Sequence, residues 1–392
     1  MTAISYRDFH LHLHSDGCGF AVTANIEKDQ SVTEPLNVDL SRSWQLEDLE
    51  RAGHDVVRQR GIELFDALIH NRVRNLYHHA RGLSAGDGDG GLRIRLHLDP
   101  HDVHLRPLMR LPWELAFDRE ADGGHYPALD PRHPIVRTVD SIERLEQPQS
   151  GLLRRVLLAQ ASPRGFESLA TERESAEVQD VLERVFVPPC VTRKTRRSTL
   201  IEAISDFEPQ VVHFMGHGVL ERATGEGKLI LEDEAGLEDR LDAATFAMLF
   251  AGKRPPRLVV LSACLTATAG EGTDPFAAMA VALVAAGLPA VIAMQSEVLD
   301  RNAIRFSARL YRQLIKGRPI EAAVAEARKA VSASRLGKLD WAAPVLFVRG
   351  NATTEPRSRK RLPQQQAPMM IITGSVGTQN NIANYETQRD DE

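Results

Sequence analysis

Cysteine is scarce: Cys18, Cys190 and Cys264 are the only three in 392 residues. An odd, sparse set excludes a disulfide framework and fits a reducing compartment. Long apolar runs are also missing, and none approaches the roughly 18–20 residues that cross a bilayer. The opening residues, Met-Thr-Ala-Ile-Ser-Tyr-Arg-Asp, lack the basic stretch and apolar core of a secretory signal, so a cytoplasmic location is expected. A net charge of −5 gives no reason to expect nucleic acid or a membrane surface as partner. No period of 20–50 residues recurs, which excludes a solenoid. What remains is an ordinary globular composition, 43% hydrophobic and 26% charged, in a chain long enough for two domains or for one large domain with an accessory region.

The pattern changes twice along the chain. Residues 1–148 read as a mixed, β-rich accessory region, with strands expected near 9–14, 20–26 and 92–98 and helical periodicity over 44–80. Ser84–Gly91 reads as a loop. Residues 149–350 alternate near-continuous apolar runs at 154–160, 210–214, 257–262, 289–294 and 344–348 with helical segments at 170–186, 199–206, 242–250, 275–287, 300–316 and 319–333. Thr199 and Glu202 have capping-box spacing at one helix start. Such alternation predicts an α/β fold, a mainly parallel sheet flanked by helices. Residues 351–392 hold a basic linker, Arg357–Arg361, followed by a charge-free stretch over 364–385.

Two apolar runs stop at reactive side chains. Val-Val-His-Phe-Met-Gly-His-Gly (211–218) brings His217 between two glycines, and Leu-Val-Val-Leu-Ser-Ala-Cys-Leu-Thr (258–266) brings Cys264 after two small residues. In open α/β sheets ligands sit beyond the carboxyl ends of the strands, where both residues are expected. A nearby imidazole lowers a thiol pKa from about 8.5 into the range of roughly 3.5–7.5, so His217 and Cys264 have the makings of a base and a nucleophile. Gly218, without a side chain, would offer its amide beside that of Cys264 to an oxyanion. The bland alternatives are a buried small hydrophobe for Cys264 and a tight turn for Gly-His-Gly.

These segments closely resemble the CHAT family of caspase-like proteases. The resemblance continues through Ala-Ala-Gly-Leu-Pro-Ala-Val-Ile-Ala-Met-Gln (285–295), a helix with Phe306, Tyr311, Leu314 and Gly317, and Trp341-Ala-Ala-Pro344. Upstream, Leu111-Pro-Trp-Glu-Leu-Ala-Phe-Asp118 and Pro134-Ile-Val-Arg137 resemble the segment that precedes the protease core, so the likeness covers roughly residues 90–348. It implies a caspase-like fold and a cysteine endopeptidase with Cys264 as nucleophile and His217 as general acid/base. The role it implies is regulated, limited proteolysis of a protein substrate, in bacterial defence or programmed cell death. The rival reading is an inactive caspase-like scaffold that assembles signalling partners. Metacaspase relatives carry an acidic residue two positions before the cysteine, where this chain has Ser262; separases carry acidic residues after the next strand, where Glu297 and Asp300 fall. Either of these two would line a pocket for Arg or Lys, unless Asp300 is merely the N-cap of helix 300–316.

Three features lie outside that scheme. His10, His12 and His14 of Phe9-His-Leu-His-Leu-His-Ser-Asp-Gly17 share one strand face and resemble the first metal motif of PHP-type phosphoesterases. Later ligands do not recur in a strand–helix frame, so a solvated face is expected, with no metal and no cofactor. Trp113 and Glu114 are expected to pack and hydrogen-bond rather than catalyse. Residues 369–384 combine β-branched residues, Gly374, Gly377 and the amides of Gln379, Asn380, Asn381 and Asn384 without charge, a composition that suits in-register stacking. They look similar to homotypic amyloid-signalling motifs, which implies an NLR-like or other sensor as partner, against the alternative of a disordered terminus.

Overall fold

The computed structural model describes residues 4–351 except 16–18, 27–29, 87–89, 122, 142–152, 167–169, 222–223, 225, 252–253, 266–274 and 335–338. The basic linker and residues 369–384 therefore lie outside the described residues. Strands β1 (Ser5–Ser15), β2 (Phe20–Asn25) and β3 (Ser31–Leu36) are followed by helices α1 (Leu46–Ala52), α2 (His54–Leu68) and α3 (Asn71–Gly86). Next come β4 (Gly90–His97), the short α4 (Arg106–Met109) and β5 (Ile135–Ser141). The second region runs β6 (Val156–Gln160), α5 (Thr171–Glu183), β7 (Cys190–Thr192), α6 (Arg197–Phe207), β8 (Val211–Glu221), β9 (Glu226–Glu232) and β10 (Glu238–Asp242). It closes with α7 (Ala243–Met248), β11 (Leu258–Leu265), α8 (Pro275–Ala285), β12 (Ala290–Met294), α9 (Asp300–Ile315), α10 (Ile320–Ser332) and β13 (Pro344–Asn351). No helix among the described residues is long and apolar enough to cross a membrane.

Periodicity explains most of these elements. In β1, Phe9, Leu11 and Leu13 are buried while His10, His12 and His14 are half-buried, the period of two of a strand with one core face. All five residues of β6 are buried, as in a strand covered on both sides. In α9, Phe306, Leu310, Tyr311 and Leu314 form the inward stripe of an amphipathic helix. Helix starts depart from expectation. The first residue of α6 is Arg197, so Thr199 lies inside the first turn, where its hydroxyl accepts the Arg196 N–H at 2.9 Å. At α9 the cap position is Leu299, and Asp300 is the first helical residue rather than the cap. The capping work falls to Asp340, whose carboxylate accepts the Leu299 N–H at 3.1 Å and the Asn302 amide at 2.8 Å.

The strands form one sheet in the order β10-β9-β8-β11-β12-β13-β5-β4-β1-β2-β3, with β6 paired along the first half of β8 and β7 paired to β6. From β7 to β12 the central strands are parallel, and so are β13, β5, β4 and β1. The two blocks meet at the antiparallel pair β12·β13, so their carboxyl ends lie at opposite edges of the sheet. In the β6–β12 block one face, with Leu158, Val211, Met215 and Val260, belongs to the cluster that holds α5, α9 and α10. The opposite face, with Leu157, Val212, Phe214 and Leu261, packs with α6, α7 and α8. This is the expected α/β class: a central, mostly parallel sheet flanked by helices.

A buried polar network around Glu114 ties the first region to the second. The Arg137 guanidinium on β5 donates to both oxygens of Glu114, at 3.1 and 2.6 Å, and to the carbonyls of Met109 and Leu111. Gln295, just after β12, donates to Glu114 at 3.1 Å and to the Ala342 carbonyl at 2.8 Å. Arg328 of α10 is 1% exposed, donates to the Pro344 carbonyl and lies 3.9 Å from Glu114. Burial alone would raise the Glu114 carboxyl; the Arg137 charge and hydrogen bonds and the Arg328 charge outweigh it and hold it below the usual range. Trp113 is fully buried and donates to the Leu108 carbonyl at 2.8 Å. The conspicuous Trp-Glu, Arg137, Gln295 and Trp341–Pro344 segments thus meet in one structural clamp.

Candidate active site

Strand β8 changes partners in mid-course. Val211–Met215 pair with β6, and His217–Glu221 pair with β9. His217 sits where one partner ends and the next begins. Expected just past a strand ending at 214, His217 instead lies inside β8, because the β9·β10 hairpin extends the strand to Glu221. Cys264 likewise lies inside β11, one residue before its end. Gly216 is required by close approach: a Cβ there would lie 2.9 Å from the Ala161 carbonyl and 2.8 Å from the Phe214 ring. The chain leaving β6 can pass only because that side chain is missing.

The register of β8 and β11 brings the two sequence-predicted residues together at backbone level. Val260 lies opposite His213, Ser262 opposite Met215, Cys264 opposite His217 and Leu265 opposite Gly218. Neighbouring strands lie about 4.8 Å apart. His217 is 1% exposed, and the half-buried Phe166, on the segment leaving β6, lies 4.9 Å from it between ring centroids. Cys190, a rival nucleophile, starts β7, and burial pushes its thiol up, away from activation. Cys18 lies outside the described residues.

Beneath this row is a polar network that no sequence motif announces. Glu174 of α5 accepts hydrogen bonds from Ser262 at 2.8 Å and Ser307 at 2.5 Å, and lies 3.3 Å from Nε2 of His213. His213 is fully buried, with the Tyr311 ring 5.8 Å away. Burial would raise the Glu174 carboxyl, but His213 and the two serine hydroxyls hold it below the usual range. The signal was present as spacing: His213 precedes His217 by four residues and Ser262 precedes Cys264 by two, so each shares a strand face with its successor. Glu174, arriving from a helix 88 residues before Ser262, carried no such signal. An acidic group therefore does reach Ser262, locked into a buried network.

Glu297 and Asp300 follow β12, the strand beside β11, at the same sheet edge, and both are exposed. Among the described residues two groups could offer three metal-ligand atoms each: His10, His12 and His97, and His125, Asp130 and His133.

The CHAT domain profile matches residues 58–349, the larger part of the sequence, and the chain belongs to the CHAT domain family. No curated protein sequence matches significantly. Similar solved structures include the Arg-specific cysteine proteinase gingipain R (RGPB), at 12% identity and a TM-score of 0.41, covering 77% of this chain and 69% of that one. The Saccharomyces cerevisiae separase–securin complex matches at 11% identity and a TM-score of 0.37, covering 76% of this chain and 21% of that one. A structure described as a protease matches at 10% identity and a TM-score of 0.41, covering 78% and 75%.

Proposed function

We propose that the protein is a cysteine endopeptidase that cuts a protein substrate, with Cys264 as nucleophile and His217 as general acid/base. The observation that carries this reading is the pairing of Cys264 with His217 on adjacent parallel strands at the partner switch of β8. In the mechanism, His217 takes the thiol proton, the thiolate attacks the scissile carbonyl, and the imidazolium protonates the leaving amine. Water, deprotonated by the same imidazole, then releases the acyl group. The amides of Gly218 and Cys264 would stabilise the oxyanion. His213 and Glu174 position the strands without touching substrate. Glu297 and Asp300 would favour Arg or Lys before the scissile bond, and a peptide library dominated by Asp or Glu there would remove them from the pocket.

The deep burial of His217 beside Phe166 favours a protease that is quiescent until the 161–166 segment moves, and is equally the feature that supports an inactive scaffold. Residues 369–384 would receive the activating contact from a sensor protein, in the setting of bacterial defence or cell death. A covalent thiol probe separates the two readings. Labelling of Cys264 that collapses in His217→Ala marks a peptidase; labelling indifferent to His217 marks the scaffold. Deleting 364–392 should abolish triggering in cells while leaving peptide cleavage in vitro intact.

A further inference from the structure

The histidine strip of β1 acquires partners from two other strands. Parallel pairing sets His12 directly beside His97, the last residue of β4, and His10 beside Arg95. His10 Nδ1 and His97 Nε2 are 2.8 Å apart, and the His12 and His97 rings stack with centroids 4.0 Å apart. One nitrogen from each of the three rings falls within 4.8 Å of the other two. His97 is 4% exposed, and its Nδ1 lies 2.8 Å from Oδ1 of Asp140 on β5. Asp140 therefore fixes the tautomer: Nδ1 carries the proton and Nε2 presents its lone pair to the centre of the cluster. The neighbouring strand makes room for this carboxylate, since a Cβ on Gly350 would stand 2.5 Å from Asp140 Oδ1.

We infer that His10, His12 and His97 bind a single transition-metal dication of the Zn2+ class, with Asp140 as the carboxylate that orients His97. Three imidazole nitrogens are a ligand set for borderline cations such as Zn2+ rather than for Mg2+ or Ca2+. Two Zn–N bonds of about 2.0–2.1 Å at a tetrahedral angle put their nitrogens about 3.3 Å apart. Rotation of the half-buried His10 and His12 side chains closes the larger separations to that value. His10 then moves its proton from Nδ1 to Nε2, with no change of charge. The nearby cations do not oppose the ion: Asp8 pairs with Arg93 at 2.6 Å and with Arg95 at 2.9 Å, and Glu321 also pairs with Arg93. The fourth coordination position is left to water.

The test is to strip the full-length protein with a chelator and titrate it with ZnCl2, reading stoichiometry by elemental analysis and affinity by calorimetry. One ion per chain is expected, with affinity unchanged in Cys264→Ala, lowered at least 100-fold in His97→Ala and about 10- to 100-fold in Asp140→Asn. His10→Ala, at a half-buried position on the face of β1 opposite Phe9 and Leu11, should also lose the ion while keeping the metal-free melting temperature. Absence of stoichiometric Zn2+ would overturn the inference. So would Zn2+ that survives both His97→Ala and His10→Ala, or Zn2+ lost in Cys264→Ala, which would place the ion on the cysteine.

Discussion

The two parallel blocks of the sheet point in opposite directions, and each carries histidines, but they mount them differently. In the β8·β11 block, His213 is fully buried against Glu174, whose oxygens also receive Ser262 and Ser307. In the β1·β4·β5 block, His10 and His12 stay half-buried and lean on His97, with Asp140 behind it. Depth sets the partner. A fully buried imidazole sits beside a carboxylate, whereas rings at a half-open face partner one another and keep their lone pairs available.

The largest effect expected in the first block is catalytic: Cys264→Ala should lower peptide cleavage by at least about 10,000-fold with the melting temperature unchanged. Cleavage that survives this change and depends on Cys190 instead would break the comparison at its centre. The next largest concerns the clamp joining the blocks. Glu114→Ala strands Arg137 and Arg328 as buried charges and should cost about 3–5 kcal/mol of unfolding free energy in a denaturant titration. Glu174→Ala leaves Ser262 and Ser307 without their acceptor and His213 without its neighbouring carboxylate, and should cost about 1–3 kcal/mol, with thiol labelling lowered but present.

Acid sharpens the contrast further. Glu114 and Glu174 are both held below the usual carboxylate pKa of about 4.3 in the fold. Their contribution is complete above that value and is lost as pH falls through it and below, because the unfolded chain takes up protons first. Melting temperature should therefore fall steeply below pH 4 in the native protein, and less steeply once Glu114→Gln has removed one titrating carboxyl. The smallest effect is expected at Phe166→Ala, which opens the cover over His217 and should raise thiol labelling severalfold in the untriggered protein.

Much of the second region was legible because buried parallel strands write near-continuous apolar runs; β6, β8, β11, β12 and β13 all fall where such runs occur. The elements missed are those with weak patterns. Strands β9 and β10 mix charges with apolar residues at a sheet edge, and β7 has only three residues. Missing β9 also misplaced His217, since a strand ends where its partners end. At the candidate site, the Cys264–His217 pairing could be anticipated from two motifs, but Glu174 could not, because a lone glutamate in an amphipathic helix looks like a solvated one. The histidine strip failed for a related reason. His-x-His reads as a wet strand face until β4 delivers His97, 87 residues beyond His10, and β5 delivers Asp140, 43 residues beyond His97.

The seam between β13 and β5 carries a practical lesson for any shortened version of this protein. Val345, Leu346, Phe347 and Val348 are buried, and Phe347–Asn351 are hydrogen-bonded to Arg137–Ser141. A fragment beginning after β5 would leave that row of amides and carbonyls bare on an apolar strand, a template for sheet-to-sheet association between copies. The first region acts here as an edge cover. Self-association of the isolated second region, relieved by adding residues 1–148 back as a separate chain, would be its signature.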